Sequence, residues 1–252
     1  MRLSTAAMIA FAAGALGACT NAPVTSETIT RVRVLAIKAE PASVVAGEQV
    51  TLDALVVSPV ENDPGIAITW YLCQYATLDE CAKAKDMHVV GHGNSVTLPV
   101  PFAASPGDSF VVWLDAIKGG QVERALKAVP IISFSDAPNH NPAFAAVRFT
   151  NSLLEPDVTS LAKGARVDVH ATAAGNPAEF YFDSNENAAE DLEIHTYTTG
   201  GFLTDPSGTS ASGEMYYTAP DAKGTYGAWV VINDGRGGVD WRGTWLSVPG
   251  GN

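Results

Sequence analysis

Beyond the first thirty residues, apolar and polar positions alternate along most of this chain, and the alternation predicts strands. Val50, Leu52 and Ala54 are separated by Thr51 and Asp53, a period of two that turns one face inward and the other to solvent. Val32 and Val34, then Leu35 and Ile37, predict an earlier strand that ends at Glu40-Pro41. Pro59 to Gly65 reads as a loop, and Ile66 to Cys73 as a strand carrying Trp70. Val89-Val90 and Val96 to Val100 flank Gly91–Asn94 as a hairpin. Phe110, Val112 and Leu114 share one side of a strand over 109–117, and Gly119-Gly120 turns it into another over 122–134. The polar stretch 74–87 is expected to form a short helical turn. Six or seven short strands in about 105 residues is the density of a β-sandwich.

The second half repeats the first. Gly47, Val50, Leu52 and Ala54 match Gly164, Val167, Val169 and Ala171 at a constant spacing of 117, after Glu40-Pro41 and Glu155-Pro156. Phe110-x-x-Trp113 matches Tyr226-x-x-Trp229 at a spacing of 116, and Asp234-Gly235 stands where Gly119-Gly120 turns the first copy. The expected architecture is therefore all-β, with two tandem immunoglobulin-like β-sandwich domains over 31–134 and 143–249. Pro138 and Pro142 make the linker over 135–142 extended and stiff.

The N-terminus follows a different rule. Arg2 precedes an apolar run from Ala6 to Ala18, which as a helix covers about 20 Å, short of the roughly 30 Å of a hydrocarbon core. A secretory signal over 1–18 is expected instead. Its end, Leu16-Gly17-Ala18-Cys19, resembles the lipobox of bacterial lipoproteins. That resemblance implies diacylation of the Cys19 sulfur and anchorage to a membrane, with Thr20 favouring the outer membrane. Each buried acyl methylene contributes about 0.8 kcal/mol, so two or three chains hold the protein almost permanently. Residues 19–30 are expected to be a flexible tether spanning roughly 18 Å.

Charge and cysteine content narrow the partners. The chain carries 15 basic and 27 acidic residues, a formal charge of −12, and loss of 1–18 removes only Arg2. Nucleic acid is excluded as a partner on that balance. With Cys19 acylated, Cys73 and Cys81 are left as an even pair in an oxidising compartment, where a local disulfide would contribute roughly 2.5 kcal/mol. His88 and His92 follow in H-x3-H spacing, but the two cysteines lie too far apart in sequence for the usual structural zinc pair.

The tandem E-P-x(n)-G-x-x-V-x-(L/V)-x-A pattern, a Trp-bearing strand and the closing run Trp229 to Trp241 (W-V-V-I-N-D-G-R-G-G-V-D-W) resemble lipoproteins of myxobacteria and their relatives. The resemblance spans nearly the whole chain and implies tandem immunoglobulin-like domains, without a cysteine pair bridging the sheets.

Few residues suggest chemistry. Asp183, Asn185 and Asn187 imitate the first half of a calcium loop, but Ala188 and Ile194 stand where an EF-hand needs Gly and Glu. A solvated acidic loop is the simpler reading. Gly208-Thr209-Ser210-Ala211-Ser212 lacks the last glycine of a nucleophile elbow. Trp241 and Trp245 share a strand face, which suits core packing first and sugar stacking second. Asp234, Arg236, Asp240 and Arg242 are expected to pair across the last hairpin. No catalytic residue, cofactor or metal is expected. The reading is a lipid-anchored, non-enzymatic binding or structural module of the cell envelope, meeting the membrane through Cys19 and an envelope protein or glycan through its sandwiches. Its alternative is a glycan- or calcium-binding surface lipoprotein.

Overall fold

The computed structural model describes residues 27–73, 88–150, 159–174, 180–183, 186–189, 191–205, 207–208 and 212–250. The first module contains β1 (Arg33–Glu40), β2 (Val44–Val45), β3 (Gln49–Val57), β4 (Ala67–Cys73), β5 (His88–His92), β6 (Ser95–Pro99), β7 (Ser109–Lys118) and β8 (Gln121–Ile132). They form two sheets, β1-β3-β6 and β2-β8-β7-β4-β5. The chain leaves β1 for β2, which joins the opposite sheet parallel to β8 through Val44↔Ile131 and Val45↔Ile132. One leading segment thus serves both sheets of an immunoglobulin-like sandwich.

The second module contains β9 (Phe144–Thr150), β10 (Arg166–Ala173), β11 (Phe180–Asp183), β12 (Glu186–Ala189), β13 (Glu193–Thr198), β14 (Phe202–Thr204), β15 (Ser207–Gly208), β16 (Ser212–Thr218), β17 (Gly224–Asn233) and β18 (Val239–Val248). Its sheets are β14-β16-β10-β9 and β15-β13-β17-β18, with the β11-β12 hairpin to one side. Ser160 bridges Ser247 in parallel, the counterpart of the β2–β8 contact.

The sequence repeat falls on equivalent strands. Val50, Leu52 and Ala54 on β3 and Val167, Val169 and Ala171 on β10 are all buried in their own cores. Trp113 and Trp229 occupy the same place on β7 and β17, on the face turned away from the core. Burial on both faces explains why these two strands read as unbroken apolar runs. The irregular phase of Val34, Leu35 and Ile37 has a physical origin as well: the β1–β3 register shifts between Val34 and Ala36, so a bulge returns Ile37 to the core. Trp70 fills the first core, fully buried, its indole donating to the Gly93 carbonyl at 2.8 Å. In β13 no tryptophan answers it; Thr196 is buried there and donates to the Met215 sulfur at 2.7 Å.

One expectation about connecting segments is corrected, and another gains contacts the sequence did not show. Residues 27–30 do not behave as a free tether. The Ile29 amide donates to the Thr198 carbonyl at 2.6 Å, Thr198 N–H returns to Glu27 at 2.7 Å, and the Ile29 side chain is fully buried. The linker is equally occupied. Asn139 is buried and its amide donates to Ser43 Oγ at 2.8 Å, while Asn141 donates to the Ala39 carbonyl at 2.7 Å and accepts from Val239 at 3.0 Å.

Candidate functional site

The two sandwiches lie side by side. Leu35 on β1 and Leu55 and Val57 on β3 point out of the first core and meet Tyr197, Trp229 and Trp245 on the outer face of the second module's β13-β17-β18 layer, with Ile29 between. Trp229 and Trp245 meet edge to face, with ring centroids 5.4 Å apart. The Trp229 indole lies across the backbones of Gly227 and Gly243, where a Cβ would have no room. At the other end of the contact, Lys38 Nζ is 3.4 Å from Asp240. β1 and β18 therefore run alongside one another in opposite directions, and the chain is folded back at its linker.

The last hairpin of the second module is the clasp. Asp234 is 1 % exposed and its carboxylate accepts from the amides of Arg236 and Gly238, each at 2.8 Å, and from the Asn139 carboxamide at 3.0 Å. Asp240 accepts from the Phe144 amide at 3.3 Å and pairs with Arg242 at 3.8 Å. These acids tie turn, linker and first module together. Lys127, on β8, reaches across to donate to the Gly237 carbonyl. Burial pushes its ammonium down from 10.5 to about 8, and the Asp234 charge only partly opposes this.

Two clefts flank the contact. One, of about 480 Å³, lies between β1 and β8 and the second module's Tyr197, Val231 and glycine-rich turn, with Lys127 in its wall. The other, of about 400 Å³, is bounded by Ser58, Asp63 and the Trp229–Trp245 pair.

A second polar cluster belongs to the first module alone. Asp115 accepts from the Trp113 indole at 2.6 Å and from Arg124 at 2.7 and 2.9 Å, and the guanidinium sits 4.1 Å from the Trp113 ring centroid. Burial works to raise the Asp115 pKa, but the hydrogen bonds from Arg124 and Trp113 override it and hold the carboxyl below its usual range.

The residues singled out from sequence disperse. Trp245 is packed in the contact between modules and Trp241 is half-buried farther along β18, so the two do not form an open sugar platform. The backbone at Asp183 and Asn187 belongs to the β11-β12 ladder, in which Asp183 pairs Glu186 and Phe182 pairs Asn187. Their side chains, with all of Asn185, lie outside the described residues, as do Cys19, Cys81, the Cys73 side chain, Ser210 and the expected helical turn. Among the described residues no three His, Cys, Asp or Glu side chains gather as metal ligands.

The fold defines a class, the tandem immunoglobulin-like β-sandwich proteins. No family model and no curated protein matches the chain. Among solved structures it is similar to the D0-D1 domain of intimin, at 12 % identity over 85 % of this chain and 99 % of that one, with a TM-score of 0.27. It is also similar to a chimeric titin Z1Z2-Z1Z2 tandem, at 14 % identity over 88 % and 98 % with a TM-score of 0.32. Fibronectin(III)-like modules of Clostridium thermocellum CbhA match at 12 % identity over 84 % and 93 %, with a TM-score of 0.27. Identities this low and superpositions this loose transfer no residue role to this chain.

Proposed function

We propose that this is a lipid-anchored protein of the bacterial cell envelope, held in the outer membrane by acyl chains on Cys19. Its two sandwiches act as one non-enzymatic binding or structural module. The observation that supports the module reading is the packed contact between the sandwiches: Trp229, Trp245 and Asp240 join them, and Asp234 ties the last turn to the linker. The Leu16-Gly17-Ala18-Cys19 motif after a short apolar run supports the anchor. Metabolic labelling with an alkyne fatty acid tests it. The natural chain should carry the label and fractionate with membranes, and Cys19→Ala should do neither. Equal membrane retention of the variant would refute the anchor. Crosslinking in intact envelopes, followed by purification, would identify the partner of the module.

A further inference from the structure

The bases along the β1 and β8 edge of the first module are matched with acids, with one exception. Arg31 and Arg33 lie 3.6 and 3.9 Å from Glu123, Lys38 is 3.4 Å from Asp240, and Arg124 is held by Asp115 at 2.7 Å. Among the described residues, Lys127 donates to the Gly237 carbonyl and makes no ion pair. No described carboxylate lies in ion-pair contact with it, and the acid that faces it, Asp234, already accepts from three nitrogens. An ammonium that faces a carbonyl dipole, with the Asp234 charge acting on it from beyond ion-pair contact, has room for a closer counter-charge.

That ammonium stands in the wall of the 480 Å³ cleft between the modules. The rest of the wall is mixed: Leu35 from β1, Leu126 from β8, and Val231 and the Tyr197 ring from the second module are apolar, while His195, Asn233 and the glycine turn are polar. A cleft of this size that sets apolar side chains beside convergent polar groups is the form that small-molecule sites take. The wall sets two demands, a negative group to meet Lys127 and a short hydrocarbon body to cover the strands.

We propose that this cleft binds a small carboxylate bearing an apolar tail, its oxygens on Lys127 and its tail between β1 and β17. The proposal deepens the reading of the two sandwiches as a binding module by naming a ligand class, and it is independent of the acyl anchor.

The test uses the full-length chain in detergent micelles at neutral pH, titrated with hexanoate, hexanamide or inorganic phosphate. The readout is the amide NMR shifts of Gly235, Gly237 and Gly238. Hexanoate should give saturable shifts at these three glycines. Hexanamide, which lacks the charge, and phosphate, which lacks the tail, should each bind at least about tenfold more weakly. Lys127→Arg should retain hexanoate binding, and Lys127→Met should lose it while the spectrum of the first core is unchanged. If Lys127→Met instead disturbs the fold, the hexanoate–hexanamide comparison on the unaltered protein still decides. Absence of saturation, or equal binding of hexanamide or phosphate, overturns the proposal. A negative titration leaves the labelling experiment on Cys19 untouched, so the two readings fail separately.

Discussion

Replacing Lys127 by methionine keeps the unbranched stem and removes the buried charge. The ammonium titrates near 8 in the folded protein against 10.5 for a free lysine side chain, because burial disfavours its charged form. The unfolded chain therefore binds more protons between those two values, and stability must rise as pH climbs through that window. At about 1.4 kcal/mol per decade, holding the charge in place costs about 3 kcal/mol at pH 7. Methionine relieves that cost but leaves the Gly237 carbonyl without its donor, a loss of about 1 kcal/mol. Lys127→Met should then be more stable than the natural chain by about 2 kcal/mol at pH 7. By pH 9.5 the natural chain has shed most of its proton and recovered about 2 kcal/mol, so the two should unfold together. Urea denaturation of both proteins at the two pH values measures this directly. A variant less stable than the natural chain by the same amount at both would refute the argument, because it would place Lys127 as an ordinary packing residue.

Other perturbations probe the rest of the structure. Trp245→Ala removes the edge-to-face partner of Trp229 and should lower stability by about 3 kcal/mol while raising the radius of gyration in solution scattering, as the modules part. Gly227→Ala should act in the same direction by displacing the Trp229 ring, with a loss of about 1–3 kcal/mol in thermal or chemical unfolding. Asp115→Asn leaves Arg124 without its charge partner and should destabilise the first module by about 2 kcal/mol at neutral pH. Because the Asp115 carboxyl titrates below its usual range, that difference should shrink as pH falls through the folded-state pKa, which denaturation at pH 7 and pH 3 will show. Asp234→Ala strips acceptors from two turn amides and Asn139, and should cost about 2 kcal/mol and speed hydrogen exchange at Gly238.

Much of the fold was legible from the chain. The alternation at Val50, Leu52 and Ala54 marks a half-buried strand because only one of its faces meets a core, and the 117-residue offset carried that reading into the second module. The side-by-side packing was harder to read. Leu55 and Val57 extend an alternating strand into an apolar stretch, and Ala228 to Ile232 is apolar without interruption. Both are signals that a strand is covered on two faces, but sequence does not say by what. Asn139 and Asn141 resemble ordinary linker residues, since their roles depend on acceptors and donors about a hundred positions away. Lys127 carries no local signal either: an isolated lysine in a strand reads as solvated until a second module is laid against it.

The fold-back also fixes how far the molecule reaches. Thr28 and Trp245 both sit at the end where Val57 meets the second module, while the connecting segment by Asn141 marks the opposite tip. Strands of ten residues, such as β7, extend about 34 Å. Under the proposed anchoring, the end that carries Thr28 and Trp245 is the one turned toward the bilayer. What it offers the periplasm or the exterior is then the hinge end, where Phe134 leaves β8 for the linker with its ring almost entirely in water.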